Sequence, residues 1–375
     1  MIDQTSGGHD LSGKFKDEEN GEIYFFGDGT PIDNKSYLER LYTLAENAPI
    51  KEDNYSLGGS VAELEAFMST LLGKEEAVFM PTGTLANHLA IRKLAGPRKR
   101  AFVPEQSHIY QDSGDALQNL SGINLVPLGG DKPYFDLSEL TQSLNKAKTR
   151  RVKNPLGAVV IESPVRRSQG RVMPFDEMKK VTDFCRHEKI GTHLDGARLF
   201  LMSAATGISP EKYAQLFDTV YVSLWKYFGA PFGAIVAGSQ EFCSGLYHER
   251  RMFGGGLSSA SLAAALALDG SKHFLEKQVK AMEVGQILFK RLNSNKLIRI
   301  KEIPNGSNIF EAHISSEVDI DKFYSYLSAH GIQMPVNTDK SETFFININH
   351  TLLNKPISKI ENIFFTALDQ FFKPT

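Results

Sequence analysis

The sequence predicts an α/β protein: a large domain with a mostly parallel, seven-stranded sheet sandwiched by helices, and a small C-terminal α+β domain. Between residues 77 and 237, short apolar runs alternate with amphipathic stretches, a pattern typical of buried parallel strands joined by helices. After about residue 270 this pattern stops, and a long helical stretch leads into a smaller unit. A chain of 375 residues is long enough for both domains.

The individual elements follow from hydrophobic periodicity. The strands of the large sheet are predicted at 77–80, 101–103, 124–127, 158–161, 191–194, 220–224 and 234–237. Helices are predicted between them, for example at 60–72, 84–94 and 175–187. The C-terminal part is predicted to contain a helix at 275–292, strands at 299–303, 309–313 and 344–349, and helices at 319–329 and 356–372. We therefore expect a flexible arm (1–20), a large domain (21–270) and a small domain (271–375).

Composition and charge exclude several classes of protein. The formal net charge of −2 gives no basic surface for nucleic acid or an anionic membrane. No apolar run is long enough to span a bilayer, and residues 1–20 lack the apolar core of a signal peptide. The two cysteines, Cys185 and Cys243, form neither a metal-binding spacing nor a disulfide framework. We expect a cytoplasmic protein without a metal, a nucleic-acid partner or a membrane anchor.

A loop of small residues joins the first strand of the sheet to the next helix. In this loop Pro81 is followed by Thr82, Gly83 and Thr84. Small residues let backbone N–H groups approach an anion, hydroxyl groups add donors, and the helix dipole favours negative charge. The loop therefore indicates a phosphate site. The alternative is an ordinary helix cap made by Thr82 or Thr84.

Two further motifs follow strand ends, where the ligand sites of α/β sheets lie. His108 comes shortly after one strand; most single histidines are structural, and that interpretation stays open for it. Another strand runs directly into Asp195, which is followed by Arg198. A carboxylate in this place can pair with a cationic ring nitrogen. The alternative is a local ion pair between Asp195 and Arg198.

Lys226 interrupts an apolar and aromatic stretch between Ser223 and Gly229. Desolvation lowers the pKa of such a lysine and supplies the free amine that an imine needs. The alternative is a lysine that reaches solvent from a strand end. Together, an anion loop, an aromatic stacking partner, a carboxylate for a ring nitrogen and an apolar lysine are what pyridoxal 5′-phosphate (PLP) requires. Asp195 would keep the pyridine nitrogen of PLP protonated.

These residues resemble the threonine aldolase / beta-eliminating lyase family of PLP-dependent enzymes. The resemblance extends from about Phe25 to the C-terminus. Its most specific features are a His-Leu-Asp-Gly-Ala-Arg motif, the 31-position spacing from Asp195 to Lys226, and the glycine turn around Gly255. The resemblance implies the fold-type I, PLP-dependent transferase-like fold.

The resemblance also implies roles for the cofactor residues. Lys226 is similar to the Schiff-base lysine, Asp195 to the partner of the pyridine nitrogen, and His108 to the imidazole stacked on the ring. Arg198 is similar to a group near the phenolic oxygen of the cofactor and the substrate carboxylate. The phosphate is expected to contact Thr82, Gly83, Thr84 and Ser223.

Three residues are implied near the substrate. Asp112 lies where the family often has a glutamate proposed as a general base. Arg167 lies at a position often occupied by arginine. Tyr55 resembles an active-site tyrosine that reaches the site from a second subunit, which implies a homodimer or a homotetramer.

The chain departs from the family pattern around the substrate. Gly27 stands where a serine hydroxyl is usual, and Trp225 replaces the serine that precedes the lysine. The Arg-Gln pair that often follows the glycine turn is missing after Gly256, and residues 343–346 contain no carboxylate-binding arginine. The cofactor residues are therefore intact, whereas the substrate residues are altered.

The resemblance implies a PLP-dependent lyase that cleaves a β-hydroxy-α-amino acid into glycine and an aldehyde, with His108, Asp112 and Lys226 in catalytic roles. A PLP-dependent β-elimination, or another reaction on a different amino-acid-like substrate, is the alternative. A nicotinamide-dependent dehydrogenase is disfavoured, since no G-x-G-x-x-G follows the first strand. A PLP-fold protein that binds partners without catalysis is disfavoured by the presence of both Lys226 and Asp195.

Overall fold

The computed structural model describes residues 21–336 and 343–373, so the arm predicted at 1–20 lies outside the described residues. The strands are β1 (Ile23–Tyr24), β2 (Glu76–Met80), β3 (Arg100–Pro104), β4 (Asn124–Leu128), β5 (Ala158–Glu162), β6 (Gly191–Asp195), β7 (Thr219–Ser223), β8 (Ala234–Gly238), β9 (Ile298–Glu302), β10 (Ile309–Ile314), β11 (Ile332–Gln333) and β12 (Thr343–Asn347).

The α-helices are α1 (Asn34–Asn47), α2 (Gly59–Leu71), α3 (Gly83–Ala95), α4 (His108–Gln111), α5 (Ala116–Ser121), α6 (Leu137–Thr149), α7 (Phe175–His187), α8 (Leu199–Thr206), α9 (Pro210–Gln215), α10 (Gln240–Cys243), α11 (Leu246–Met252), α12 (Ser261–Ser271), α13 (Phe274–Leu292), α14 (Ile320–Ala329) and α15 (Ile357–Gln370). Two short 3₁₀ helices lie at Arg166–Ser168 and His350–Asn354.

The central sheet has seven strands in the order β2-β8-β7-β6-β5-β3-β4. Only β8 runs antiparallel to its neighbours within it. Helices cover both faces: Val159 and Ile161 of β5 pack in one core, and Ala158 and Val160 pack in another on the opposite face. The predicted fold class is confirmed, and each of the seven predicted strands agrees with the structure to within one residue at either end. Full burial on both faces explains why these strands read as continuous apolar runs.

A second core lies in the C-terminal part, where β12-β10-β9 form an antiparallel sheet. Helices α13, α14 and α15 supply its apolar side chains. Ile23 and Phe25 also belong to this core, because β1 pairs with β11. The segment expected to begin the large domain at residue 21 therefore packs with the small one. The boundary at 270 stays a prediction.

The parallel strands bring distant residues to one edge of the sheet. Glu162 ends β5, Asp195 ends β6 and Ser223 ends β7. Glu162 and Asp195 are register partners, and Lys226 follows three residues after β7. This edge is where open α/β sheets bind ligands.

Candidate active site

Lys226 is half-buried at this edge and has charged neighbours. Burial, followed by the positive charge of Arg198, lowers the pKa of Lys226, and the nearby carboxylates of Asp195, Asp28 and Glu162 oppose the shift. The structure therefore favours an amine with more neutral character than an ordinary lysine.

Asp195 accepts hydrogen bonds from neutral groups, and a chain of further hydrogen bonds fixes one of these donors. Asn87 Nδ2 donates to Asp195 Oδ2 at 2.7 Å, and the backbone N–H of Ala197 donates to Asp195 Oδ1 at 3.2 Å. Asn87 Oδ1 lies 2.8 Å from His193 Nε2, and His193 Nδ1 lies 2.8 Å from Thr219 Oγ1. Burial lowers the pKa of His193 to about 4, so its ring is neutral near pH 7. Because Asn87 donates to Asp195, its oxygen must accept, which places the ring proton of His193 on Nε2.

The small-residue loop lies beside β7. Thr82 Oγ1 accepts the N–H of Leu85 at 3.1 Å, so Thr82 makes the helix cap that was the alternative for this loop. A Cβ atom at position 83 would lie 2.0 Å from the hydroxyl oxygen of Tyr221, so only glycine fits there. Ser223 Oγ is buried and makes no hydrogen bond of normal geometry with any described residue. The phosphate roles of these residues and of Thr84 stay predictions.

Arg198 binds Asp28 and not Asp195. Its Nε lies 2.9 and 2.8 Å from the two oxygens of Asp28, and its Nη2 lies 2.8 Å from Asp28 Oδ2. Both side chains are largely buried. The local Asp195–Arg198 ion pair considered from the sequence is therefore not formed. The segment carrying Asp28 is fixed by the small domain, since Asn347 Nδ2 donates to the carbonyl of Gly27 at 3.0 Å.

His108, Asp112 and Arg167 form a second charged group. Arg167 donates to both oxygens of Asp112, at 3.0 and 2.5 Å, and Asp112 Oδ2 lies 3.6 Å from His108 Nδ1. The hydrogen bond from Arg167 lowers the pKa of Asp112. A carboxylate with a lowered pKa is a weak base, which counts against the general-base role implied for Asp112. The imidazole of His108 is 42% exposed.

Glu162 joins the two groups. It accepts the backbone N–H of His108 at 2.5 Å and that of Arg166 at 3.3 Å. Burial, and then the negative charge of Asp195, raise the pKa of Glu162. The protonated form is therefore favoured near neutral pH, which limits repulsion with Asp195.

Tyr55 lies in a different cluster. Its ring stacks on the guanidinium of Arg251 at 4.3 Å, and its backbone N–H donates to the carbonyl of Ser258 at 3.1 Å. Its φ of 52° is held in part by buried Arg250, which donates to its carbonyl at 3.2 Å. Tyr55 and the glycine turn thus share one surface, apart from the contacts that surround Lys226.

A family model described as beta-eliminating lyase matches residues 40–314. The chain belongs to this family. The resemblance to threonine aldolases stated from the sequence is confirmed.

The curated relatives include threonine aldolases. The low-specificity L-threonine aldolase of Candida albicans is 28% identical over 62% of this chain and 62% of its own length. The low-specificity L-threonine aldolase 1 of Arabidopsis thaliana is 25% identical over 76% of this chain and 81% of its own. The match therefore spans less than two thirds of the Candida enzyme.

Solved structures of other proteins are similar to this structure over nearly the whole chain. A Listeria monocytogenes protein assigned as an L-allo-threonine aldolase is 25% identical with a TM-score of 0.77, covering 94% of this chain and 98% of that one. A serine palmitoyltransferase from S. paucimobilis, solved with bound PLP and myriocin, is 17% identical with a TM-score of 0.63, covering 93% and 87%. This second likeness shows the fold alone. Among the described residues, no helix has the length and apolar character needed to cross a membrane.

Sequence reasoning gave no role to Asp28, Asn87, Glu162 or His193. The hydrogen bonds that join Asn87 to Asp195 and Asp28 to Arg198 span 108 and 170 positions, so no local spacing signals them. Glu162 offered one usable signal: it ends a predicted apolar strand, as Asp195 does.

The neutral His193 makes folding stability depend on pH. The unfolded imidazole takes up a proton near pH 6.5, whereas the buried ring stays neutral down to about pH 4. A lowered pKa means that the unfolded state binds more protons, so stability falls as the pH drops through this window. We expect this group to reduce the free energy of unfolding by about 2 kcal/mol between pH 7 and pH 5. His193→Gln should remove that part of the pH dependence in urea titrations. Exposed His187→Gln is the control, and equal pH dependence in both variants would contradict the assignment.

Proposed function

We propose that this protein is a PLP-dependent aldehyde-lyase that cleaves a β-hydroxy-α-amino acid such as threonine into glycine and an aldehyde. The observation that carries the proposal is that Lys226 and Asp195 lie at the same edge of the sheet. The pKa of Lys226 is lowered, and Asp195 accepts hydrogen bonds from neutral donors. The names of the curated relatives support the same reaction.

The described residues fit PLP. The buried hydroxyl of Ser223, which makes no hydrogen bond of normal geometry, and the glycine at position 83 suit a phosphate that needs donors and close approach. Asp195 receives hydrogen bonds only from neutral groups, so a protonated ring nitrogen would give it a cationic partner. The exposed imidazole of His108 would lie on the ring, and the amine of Lys226 would hold the cofactor covalently.

When bound, PLP takes up the electron pair released at the substrate α-carbon. The protein must remove a proton from the β-hydroxyl oxygen. We assign that proton to the imidazole of His108, because Arg167 holds Asp112 in its charged, weakly basic form. Asp112, whose Oδ2 lies 3.6 Å from His108 Nδ1, then orients the imidazole.

We assign the substrate carboxylate to Arg198. Its Nε and Nη2 are used by Asp28, while Nη1 makes no hydrogen bond with any described residue. An N–H edge without a protein partner, on a guanidinium fixed by a second carboxylate, suits a substrate carboxylate. Arg167, the other anchor expected from the sequence, uses the same two nitrogens to bind Asp112. We prefer Arg198 because its charge acts on Lys226 and lowers the pKa of that amine.

We also propose a homodimer or a homotetramer in which Tyr55 and the turn at Gly254–Gly256 complete the site of a neighbouring subunit. Their common surface, away from Lys226, supports this arrangement. A cytoplasmic location rests on the two cysteines, which are both buried and free.

The first test concerns Lys226. Borohydride reduction of the PLP-loaded protein should leave a phosphopyridoxyl group on Lys226, because burial and Arg198 favour its free amine. The same protein should release acetaldehyde and glycine from threonine. Lys74, another half-buried lysine with a lowered pKa, is the internal control and should stay unlabelled. Label elsewhere would contradict the cofactor assignment, and release of ammonia and a keto acid would favour elimination.

The second test is a double-mutant cycle on Arg167 and Asp112. Removing either partner of a charged hydrogen bond costs roughly 1.5–3 kcal/mol. If Arg167 acts through Asp112, Arg167→Met and Asp112→Asn should each lower kcat/KM, and the double variant should lose no more than the worse single one. Additive losses, with a higher KM for Arg167→Met in the Asp112→Asn background, would restore Arg167 as the carboxylate anchor.

The third test concerns assembly. Sedimentation at assay concentration should show a dimer or a tetramer, since Tyr55 is expected to act in a neighbouring site. Mixing inactive Lys226→Ala protein with inactive Tyr55→Ala protein should restore part of the activity, because a mixed dimer contains one intact site. A fully active monomer would contradict the proposal.

A further inference from the structure

Arg250, on helix α11, is a charged side chain that is completely buried. Its guanidinium donates to the main-chain carbonyls of Tyr55 and Ser56, at 3.2 Å each, and to that of Phe79. All of these acceptors are neutral, and its Nε has no hydrogen-bond partner among the described residues. Burying a cation costs free energy that neutral acceptors offset only in part. This costly side chain therefore indicates a need to fix the carbonyls that it binds.

Two of these carbonyls belong to residues in an unusual backbone conformation. Tyr55 and Ser56 have φ values of 52° and 60°, in the left-handed region that residues with a Cβ atom rarely adopt. Such a conformation persists only where its surroundings fix it. The N–H of Ser56 donates to Asp53 at 2.7 Å, and the N–H of Tyr55 donates to the carbonyl of Ser258 at 3.1 Å. Arg250 binds both carbonyls and so anchors this loop to the interior of the large domain.

The same arginine also supports the glycine turn. Its carbonyl accepts the N–H of Gly255 at 2.8 Å, and a Cβ atom at position 255 would lie 3.0 Å from Arg250 Cγ. The next residue, Arg251, stacks on the ring of Tyr55, which is 40% exposed. Tyr55 and the turn, both proposed above to complete the site of a neighbouring subunit, therefore share one buried support.

Phe79 offers Arg250 a second route to the reaction, within its own subunit, because β2 leads into the loop proposed to bind phosphate. However, Phe79 is paired with β8 in the central sheet, and its N–H donates to Glu65 at 2.7 Å. The strand is therefore held without Arg250. Tyr55, in contrast, lies outside every strand of the described chain, so its conformation depends more strongly on the arginine.

We propose that Arg250 is a positioning residue for the site of the neighbouring subunit, on which it acts by holding Tyr55 and Gly255 in place. This inference rests on the proposed function, because it requires Tyr55 to reach a neighbouring site. Loss of Arg250 then impairs the site next to its own subunit and leaves the Lys226 site of its own subunit competent.

The test uses Arg250→Lys, which keeps the charge but loses the planar fork that binds several carbonyls. The PLP-loaded variant should show kcat/KM for threonine lowered about tenfold, the scale of a lost charged hydrogen bond. Hydrogen exchange should rise in the peptide that contains Tyr55 and Ser56 and stay unchanged in the peptide that contains Lys226.

Subunit mixing separates the two routes. Excess Lys226→Ala protein, exchanged into Arg250→Lys protein in dilute urea, should restore the activity per Lys226, because each Lys226 site then has a neighbour with Arg250 and Tyr55 intact. Tyr55→Ala is the reference and should be restored in the same way. Arg198→Met is the opposite control and should not be restored, because no site of a mixed assembly would contain both Arg198 and Lys226.

A second variant covers the case in which Arg250→Lys does not fold. Proline cannot adopt the φ of Ser56 and lacks the N–H that Ser56 donates to Asp53. Ser56→Pro therefore disturbs the same loop with Arg250 in place, and its loss of activity should also be restored by Lys226→Ala protein. A Ser56→Pro loss that is not restored would contradict the inference.

The inference would be overturned by unchanged hydrogen exchange, by parent-like activity of Arg250→Lys, or by a loss that mixing restores for Tyr55→Ala but not for Arg250→Lys. That last result would place the effect within one subunit, through Phe79. Failure of the proposed function looks different. Without restoration of Tyr55→Ala the shared site is wrong, and without aldehyde release by the parent the lyase is wrong, while hydrogen exchange still decides whether Arg250 holds the loop.

Discussion

The balance of charge around Lys226 is the constraint on which the rest of the site depends. Burial lowers the pKa of this amine, and it raises the pKa of Glu162 so that the neutral carboxyl is favoured. Asp28 and Arg198 neutralise each other. Asp195 alone is left with neutral donors, and among the described side chains no cation is hydrogen-bonded to it. A site organised in this way is suited to a ligand that places a positive charge beside Asp195 and forms an imine with the amine of Lys226.

The Asp28–Arg198 pair also connects the site to the small domain. Phe25 is buried in the second core, and Asn347 and Asn349 hydrogen-bond carbonyls of the segment between Tyr24 and Gly27. The segment from Tyr24 to Asp28 therefore links the two domains. It packs with the small domain, and its Asp28 carboxylate binds Arg198 of the large domain. A shift of the small domain would move the carboxylate that binds Arg198. It would leave the hydrogen bonds of Asp195 in place, because their donors belong to the large domain.

The strands of the sheet could be predicted from the sequence, whereas most hydrogen-bond partners in the site could not. Strands such as β5 and β7 are buried along their whole length, so a continuous apolar run identifies them without knowledge of their neighbours. Lys226 and Asp195 could be predicted for a related reason, since polar residues at the ends of such runs are conspicuous. The partners of these residues could not. Asn87 lies inside a helix and Asp28 in a loop, where polar residues are common, and only the folded chain brings them to Asp195 and Arg198.

Arg167 has a partner that its place in the sequence did not reveal. Its position suggested a carboxylate ligand, and it does bind a carboxylate, but that of Asp112. The same contact changes the chemistry expected of Asp112, because a carboxylate stabilised by a guanidinium gives up its affinity for protons. In the proposed mechanism the proton-accepting role passes to His108, whose backbone is fixed by Glu162 and whose ring nitrogen faces Asp112. In that mechanism, the ion pair between Arg167 and Asp112 determines which residue of the group acts as the base.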